Sequence, residues 1–225
     1  MKLYSSLEKC IDNTLLKQTV TLPEIISFVE KSVPYGFRSL VIPPFALGKA
    51  ISRVEGRSCH FSAVVGFPLG YIPTLLKCRE IEAYRNMGSA ITDFDVVLNI
   101  NLVKSKAWNS LYTEMQELSS VTEGKILKLI IETPLLTQEE IEHVCLLSME
   151  FEGIDFIKTG TGFAGKPTTI DEVSCISKTL KGLKGIKVSG GVKKLEHVNN
   201  FLAAGATIFG SSSGIEIMEE AKRQK

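Results

Sequence analysis

The 225-residue sequence has no long apolar run, no large net charge and no signal-peptide core at its amino terminus. No apolar stretch approaches the roughly 20 residues that cross a bilayer. The formal net charge of +1 argues against nucleic acid or an anionic membrane surface as the main partner. We therefore expect a cytoplasmic protein that acts on neither nucleic acids nor membranes.

Cysteine and histidine are also scarce, and neither is arranged for metal binding. The cysteines are odd in number, scattered and without a C-x-x-C pair, which is typical of small buried residues in a reducing compartment. The three histidines and the carboxylates show no metal-ligand spacing, so no metal is expected. A Ser-His-Asp order with a nucleophile elbow is missing as well, which argues against hydrolysis by an activated serine.

What the chain does have is a regular alternation of strand-like and helix-like segments. Several apolar runs are continuous in Val, Ile, Leu and Phe, as expected of parallel strands that are covered on both faces. We predict strands at Cys10–Thr14, Phe37–Ile42, Phe61–Phe67, Phe94–Ile100, Ile126–Glu132, Ile154–Thr159, Ile186–Ser189 and Thr207–Gly210. We predict helices at Leu22–Val33, Thr74–Met87, Trp108–Thr122, Thr137–Phe151, Thr169–Leu180 and Leu195–Ala204.

Eight strands in one β-α alternation indicate an α/β fold, a (β/α)8 barrel formed by a single domain over residues 1–225. No long linker or low-complexity tract offers a boundary for a second domain. A doubly wound open sheet is the competing arrangement, and alternation alone does not exclude it. The barrel makes a more specific prediction than the open sheet does, because its catalytic and binding residues should lie at the carboxyl ends of the strands. Polar or Gly-rich residues do follow nearly every predicted strand.

Lys158 closes an apolar strand and precedes Thr159-Gly160-Thr161-Gly162, while Lys187 stands in the next strand before Ser189-Gly190-Gly191. A lysine amine attacks carbonyls only when part of it is unprotonated, and both burial and a nearby cation lower its pKa. Neighbouring strands would bring Lys187 close enough to supply that cation. The alternative is that Lys158 simply reaches solvent, as most lysines at strand ends do.

Asp95 is a carboxylate inside a predicted strand, in Phe94-Asp95-Val96-Val97. A buried carboxylate needs a partner, and a lysine would provide one. Such a pair could relay protons. A purely structural Asp–Lys ion pair would give the same sequence.

The segment Gly160-Thr161-Gly162-Phe163-Ala164-Gly165 matches G-x-G-x-x-G, but its context argues against nucleotide binding. A P-loop needs Ser or Thr after its lysine, where this chain has Pro167. A dinucleotide fingerprint opens directly into a helix, whereas here the helix cap is Thr169. A loop that offers backbone N–H groups to a single phosphate fits better.

Two further Gly- and Ser-rich loops, Gly190-Gly191 and Gly210–Gly214, follow the last two predicted strands. Barrels commonly hold phosphate at these loops, at the amino end of a short helix. Simple helix capping by Ser212 and Ser213 is the alternative for the second loop alone. The pair of loops favours a phosphate site.

With these segments the chain resembles the deoxyribose-phosphate aldolases, class I (Schiff-base) aldolases with a barrel fold. The similarity runs from the first strand to the last and is most specific in Phe156-Ile157-Lys158-Thr159-Gly160-Thr161-Gly162 and Lys187-Val188-Ser189-Gly190-Gly191. It implies reversible cleavage of 2-deoxy-D-ribose 5-phosphate to acetaldehyde and glyceraldehyde 3-phosphate. It implies no metal or organic cofactor, a phosphosugar substrate as the partner, and it leaves a homo-oligomer open.

The resemblance also implies roles for individual residues. Lys158 would form the Schiff base, Lys187 would lower its pKa, and Asp95 would assist proton transfer through water. The residues implied to lie near the substrate or its phosphate are Asp12, Thr14, Thr161, Gly162, Gly190, Gly191, Ser212 and Ser213.

The chain departs from the family pattern at Asn13, Val41 and Gly160, and in the stretch Tyr71-Ile72-Pro73 after Pro-Leu-Gly. The connection Gly88–Asp93 is also longer than usual. None of these removes a lysine or Asp95. Two alternatives follow: a Schiff-base aldolase acting on another phosphosugar or aldehyde, and a catalytically silent barrel that binds a phosphometabolite.

Overall fold

Eight parallel strands close into one barrel in the computed structural model, which describes residues 6–122 and 124–224. Each strand pairs with the next along the chain, and the last pairs with the first. The strands are β1 Ile11–Thr14, β2 Ser39–Val41, β3 Phe61–Val65, β4 Ile91–Val97, β5 Ile126–Ile130, β6 Phe156–Lys158, β7 Gly185–Ser189 and β8 Ile208–Ser211. The predicted (β/α)8 barrel is confirmed, and the doubly wound open sheet is excluded.

The helices surround the barrel. They are α1 Leu22–Ser32, α2 Leu47–Arg53, α3 Thr74–Arg85, α4 Ile100–Lys104, α5 Trp108–Val121, α6 Gln138–Ser148, α7 Ile170–Leu180, α8 Leu195–Ala203 and α9 Gly214–Arg223. The six predicted helices are all present. The sequence did not predict α2 and α4, because five to seven residues are too few to display a helical period. Within the described ranges, no helix has the length and apolarity needed to span a bilayer.

Three strands have bounds that differ clearly from those predicted. β4 runs from Ile91 to Val97 and not from Phe94 to Ile100, because the Asn99 side chain accepts the N–H of Asn101 and starts α4 there. β6 is shorter than Ile154–Thr159, since the Asp155 carboxylate accepts the N–H of Leu127 (2.8 Å) at its start. β2 is shorter than Phe37–Ile42 by two residues at its start and one at its end. Each of the remaining strands differs by no more than two residues at either end.

The strands separate an apolar layer from a charged interior. Residues such as Ile157 and Val188 face the helices and belong to the hydrophobic core. Because side chains alternate between the two faces of a strand, their neighbours Lys158 and Lys187 face inward. The buried charged residues inside the barrel are Asp12, Asp93, Asp95, Lys128, Lys158 and Lys187. The centre of this barrel is therefore held by ion pairs, while the apolar core lies outside it.

A second buried ion pair lies among the helices and joins them to the end of β4. Lys77 of α3 is fully buried and is bonded to the Glu114 carboxylate of α5 and to the carbonyl of Val97 (2.7 Å). Glu114 also accepts the N–H of Asn99 (3.2 Å). Burial lowers the pKa of Lys77 and raises that of Glu114, although each partner's charge opposes the shift. The pair fixes the backbone just beyond β4.

We expect Glu114→Ala to destabilise the protein by about 3–5 kcal/mol, because it leaves the Lys77 ammonium buried without its counter-charge. Glu117→Ala, on the exposed face of the same helix, should change stability by no more than about 0.5 kcal/mol. Urea unfolding followed by circular dichroism measures both. Equal effects of the two variants would contradict a structural role for the pair.

Candidate active site

A cavity of about 540 Å³ opens at the carboxyl ends of β1, β6, β7 and β8. Lys158 is part of its wall. It brings together several of the residues predicted from the sequence, namely Thr14, Thr161, Gly162, Gly190, Gly191 and Ser212. Two cationic residues that the sequence reasoning missed, Lys17 and Lys193, also line it. The cavity therefore combines an amine with loops and charges suited to an anion.

Lys158 and Lys187 converge on one carboxylate oxygen. The two residues are register partners in the parallel pair of β6 and β7, so their side chains lie next to each other. Lys158 Nζ is 2.7 Å from Oδ2 of Asp95, and Lys187 Nζ is 2.6 Å from the same atom. Lys187 is fully buried beneath the cavity, whereas Lys158 reaches its wall.

Asp95 is the buried centre of this group. Its other oxygen, Oδ1, accepts hydrogen bonds from Lys128 Nζ (3.1 Å) and Ser62 Oγ (2.9 Å). Burial alone would raise the pKa of Asp95, but the charges of the three lysines outweigh it and hold that pKa well below its usual range. Asp95 is therefore an anion throughout the neutral range, with four hydrogen-bond donors around it.

Asp12 belongs to the same cluster and does not line the cavity. Its carboxylate contacts Lys187 (2.6 Å) and Arg38 (2.9 Å), and it lies 3.3 Å from Lys128. Asp12 thus acts on the site through Lys187. It lies deeper in the barrel than Thr14, which follows it on β1 and lines the cavity.

Sequence reasoning missed three members of the cluster, which are Arg38, Asp93 and Lys128. Lys128 is bonded to Asp93, and Arg38 lies 2.6 Å from the same Asp93 oxygen. A signal for each of them was present. Asp93 precedes Asp95 by two residues and so shares its face of β4, and Lys128 interrupts an otherwise apolar strand. Arg38 likewise lies inside the predicted strand Phe37–Ile42, although the structure starts β2 at Ser39.

The charges of the cluster explain which amine loses its proton. The cluster contains four cations (Arg38, Lys128, Lys158 and Lys187) and three carboxylates (Asp12, Asp93 and Asp95), so it is neutral once one cation is deprotonated. Burial lowers the pKa of Lys158 to about 8, with Asp95 opposing that shift and Lys187 adding to it. The carboxylates raise the pKa of Lys128 and of Arg38 in spite of burial. Lys158 is therefore the cation that readily yields a free amine.

Two glycines shape the side of the cavity that is formed by the loop after β7. Gly190 and Gly191 have φ values of 95° and 97°, which L-residues with side chains rarely adopt. A Cβ on Gly191 would also lie 2.9 Å from Cβ of Pro167. The preceding loop returns to this point through Thr168, whose N–H donates to the carbonyl of Gly190 (3.1 Å). The backbone at the two glycines can consequently approach a ligand closely.

Two of the predicted binding residues have their backbone N–H groups engaged elsewhere. Glu132 accepts both the N–H (3.1 Å) and the hydroxyl (2.6 Å) of Thr161. Ser213 stands just before α9 and donates its N–H to Ser211 Oγ (3.0 Å), and it does not line the cavity. Gly162 and Ser212 therefore remain the better placed members of these two loops.

Two of the departures from the family pattern lie away from the cavity. Asn13 faces the helices, where its amide donates to Ser32 Oγ of α1 (2.9 Å). Tyr71 is 56% exposed and is not among the described residues that line the cavity around Lys158. Neither observation supports an altered substrate.

The fold and the site together define a class of protein: a (β/α)8 barrel with a buried, readily deprotonated lysine at the carboxyl ends of its strands, as Schiff-base enzymes require. A comparison with protein-family models gives no match. Individual proteins give clear matches. A deoxyribose-phosphate aldolase of Aquifex aeolicus is 38% identical over 213 residues, and one of Staphylococcus epidermidis is 36% identical over 211; each alignment covers 94% of both chains. The chain belongs to the deoxyribose-phosphate aldolase family.

Solved structures agree with that assignment. The aldolase QR15 superimposes with a TM-score of 0.91 at 35% identity, covering 98% of this chain and 97% of its own. The tetrameric deoxyribose phosphate aldolase of Aeropyrum pernix superimposes with a TM-score of 0.86 at 29% identity, covering 97% and 92%. The similarity thus extends over the whole barrel.

We expect the Lys158 amine to be half deprotonated near pH 8. Reductive methylation with formaldehyde, followed at the Lys158 peptide by mass spectrometry, should show a midpoint at about that pH. Lys187→Met should move the midpoint upward, because it removes a cation that disfavours protonation. Asp95→Asn should move it downward, because it removes the anion that favours protonation. A wild-type midpoint above pH 10, as for an ordinary lysine, would contradict this description.

Proposed function

We propose that this protein cleaves 2-deoxy-D-ribose 5-phosphate reversibly to acetaldehyde and D-glyceraldehyde 3-phosphate, with Lys158 as the Schiff-base nucleophile. The observation that carries the proposal is the Lys158 amine, which lies in a cavity at the barrel mouth and has its pKa lowered to about 8. Membership of the aldolase family supports the substrate. Lysine, carboxylate and water suffice for this chemistry, so the proposal needs no cofactor.

The reaction begins when the free amine of Lys158 attacks C1 of the open-chain aldehyde. Loss of water gives an iminium, which withdraws electrons from the C2–C3 bond. A base removes the proton of the C3 hydroxyl, the C2–C3 bond breaks, and glyceraldehyde 3-phosphate leaves. The enamine that remains on Lys158 is protonated at C2, and water then hydrolyses the acetaldehyde iminium and restores the amine.

Asp95 and Lys187 are proposed to take part in the proton transfers of the reaction. Once Lys158 is bound to substrate, its nitrogen keeps a single N–H, and Oδ2 of Asp95 can accept a hydrogen bond from water or from the substrate hydroxyl. Lys187 keeps that oxygen ionised and supplies a donor beside it. Asp12 holds Lys187 from the other side (2.6 Å).

The phosphate is proposed to bind across the loops after β7 and β8. Gly190, Gly191 and Ser212 line the cavity there, and Ser213 leads into α9, whose first-turn N–H groups have no acceptor within the helix. Lys193 adds a cation. On the opposite wall, Gly162 and Thr161 close the cavity, and Thr14 lines it at the end of β1, above Asp12.

Borohydride reduction in the presence of 2-deoxy-D-ribose 5-phosphate should leave one covalent adduct, on Lys158. Lys158→Met should abolish the adduct and lower kcat/KM for cleavage at least about a thousandfold, because the nucleophile is gone. Lys166→Met, in the loop after β6 and outside the cavity lining, is the matched control and should keep both. An adduct on another lysine in active protein would refute the proposal.

A second candidate is a Schiff-base aldolase with a wider choice of aldehydes. It rests on a neighbouring cavity of about 300 Å³ with a mainly apolar lining that includes Val64, Phe67 and Tyr84. This cavity shares Leu16, Lys17, Gln18 and Phe163 with the one around Lys158. A panel of aldehydes with and without phosphate, assayed by kcat/KM, decides between the two. A clear preference for 2-deoxy-D-ribose 5-phosphate removes the second candidate.

Assembly and location are further parts of the proposal. The Aeropyrum pernix relative is described as a tetramer, which supports a homo-oligomer here as well. The organisation of residues 1–225 as a single domain and the cytoplasmic location stay predictions from the sequence.

A further inference from the structure

The two oxygens of the Asp95 carboxylate have different partners. Oδ2 faces the cavity side and contacts Lys158 and Lys187. Oδ1 faces the interior and accepts from Lys128 Nζ (3.1 Å) and Ser62 Oγ (2.9 Å). The Lys128 ammonium also donates to Ser62 Oγ (3.1 Å), so the three groups form a closed triangle. A carboxylate bound in this way cannot rotate without losing two hydrogen bonds.

Lys128 is positioned to bind the neighbouring Asp95 side chain, but it lies too deep in the barrel to contact a substrate in the cavity. It is the register partner of Asp95 across β4 and β5, it is fully buried, and it does not line the cavity. Asp93 binds its ammonium from below, and Arg38 in turn binds Asp93 (2.6 Å). This chain of alternating charges fixes the Lys128 side chain in one orientation.

We propose that Lys128 and Ser62 are positioning residues, which hold Oδ1 of Asp95 so that Oδ2 is presented to Lys158 and to the substrate. The inference rests on the proposed Schiff-base function and adds two residues to it. Asp93 and Arg38 support Lys128 in this arrangement. Neither Lys128 nor Ser62 touches the reacting atoms, and each acts through Asp95.

Lys128 has a second effect, through its charge. The charged groups that face Lys158 are Asp95 of β4, Lys128 of β5 and Lys187 of β7, and Lys128 is itself surrounded by Asp12, Asp93 and Arg38. The positive charge of Lys128 is one of the causes that lower the pKa of Lys158. Without it, the cluster would hold three cations and three carboxylates and would be neutral with Lys158 protonated.

The first test is Lys128→Met, which removes the charge and keeps much of the side-chain volume. Because reaction requires the free amine of Lys158, the acid limb of kcat/KM for cleavage of 2-deoxy-D-ribose 5-phosphate should move to higher pH by about one unit. The pH dependence of adduct formation on Lys158 with borohydride should move in parallel. If Lys128 served stability alone, the folded variant would keep the wild-type midpoint in both profiles.

The second test, Ser62→Ala, examines the hydrogen bond to Oδ1 of Asp95 separately from the charge of Lys128. It removes one donor from Oδ1 and leaves Lys128 in place, so kcat should fall roughly three- to tenfold while KM and the acid limb stay nearly unchanged. This variant deletes a single oxygen from a buried site. An unchanged kcat would overturn the assignment of Ser62.

Lys77→Met is the matched control, because Lys77 is an equally buried lysine paired with a carboxylate outside the cluster. It should lower stability and leave the acid limb where it is. If folded Lys128→Met keeps the wild-type acid limb, or if Lys77→Met shifts it equally, the inference is overturned. Wild-type protein that forms no adduct on Lys158 would instead refute the proposed function itself.

Discussion

The Asp95 carboxylate holds two lysine ammonium groups at one of its oxygens and a third at the other, and the interior of the barrel depends on that contact. Four cations within a few ångströms of one another cannot be buried unless carboxylates lie between them, because desolvation of an unpaired charge costs several kcal/mol. Asp12, Asp93 and Asp95 fill this role. They supply one negative charge fewer than the cations require, and this deficit makes a proton on Lys158 easy to lose.

The barrel creates this arrangement through strand register. Lys158 is the register partner of Lys187, and Asp95 is the register partner of Lys128. Each of these charged residues therefore has a charged neighbour on the adjacent strand. An apolar core between strands and helices stabilises the fold, which leaves the interior available for charged groups. The loops that follow the strands are then free to form the cavity. The outward faces of the strands therefore stabilise the fold, whereas their inward faces hold the charged residues of the site.

The sequence alone allowed a prediction of most of the barrel and of the residues nearest its mouth. Apolar runs separated by amphipathic segments gave the eight strands, and Lys158, Lys187 and Asp95 were recognisable as charges in apolar surroundings. The prediction failed where a residue's importance comes from distant neighbours. Lys128 and Arg38 were overlooked although each interrupts a predicted strand, because the sequence around Arg38 does not indicate that it reaches Asp93. The sequence also gave no sign that Glu132 would accept both the N–H and the hydroxyl of Thr161, which lines the cavity.

The existence of eight strands and the placement of Lys158, Lys187 and Asp95 as charges in apolar segments were thus determined by the sequence, because local periodicity and the contrast between apolar and charged residues carry that information. Only the tertiary structure decided how the charges divide between the two oxygens of Asp95, that Asp12 lies beneath the cavity, and that burial more than Lys187 lowers the pKa of Lys158. Those features arise from residues that are far apart in the chain and meet only when the barrel closes.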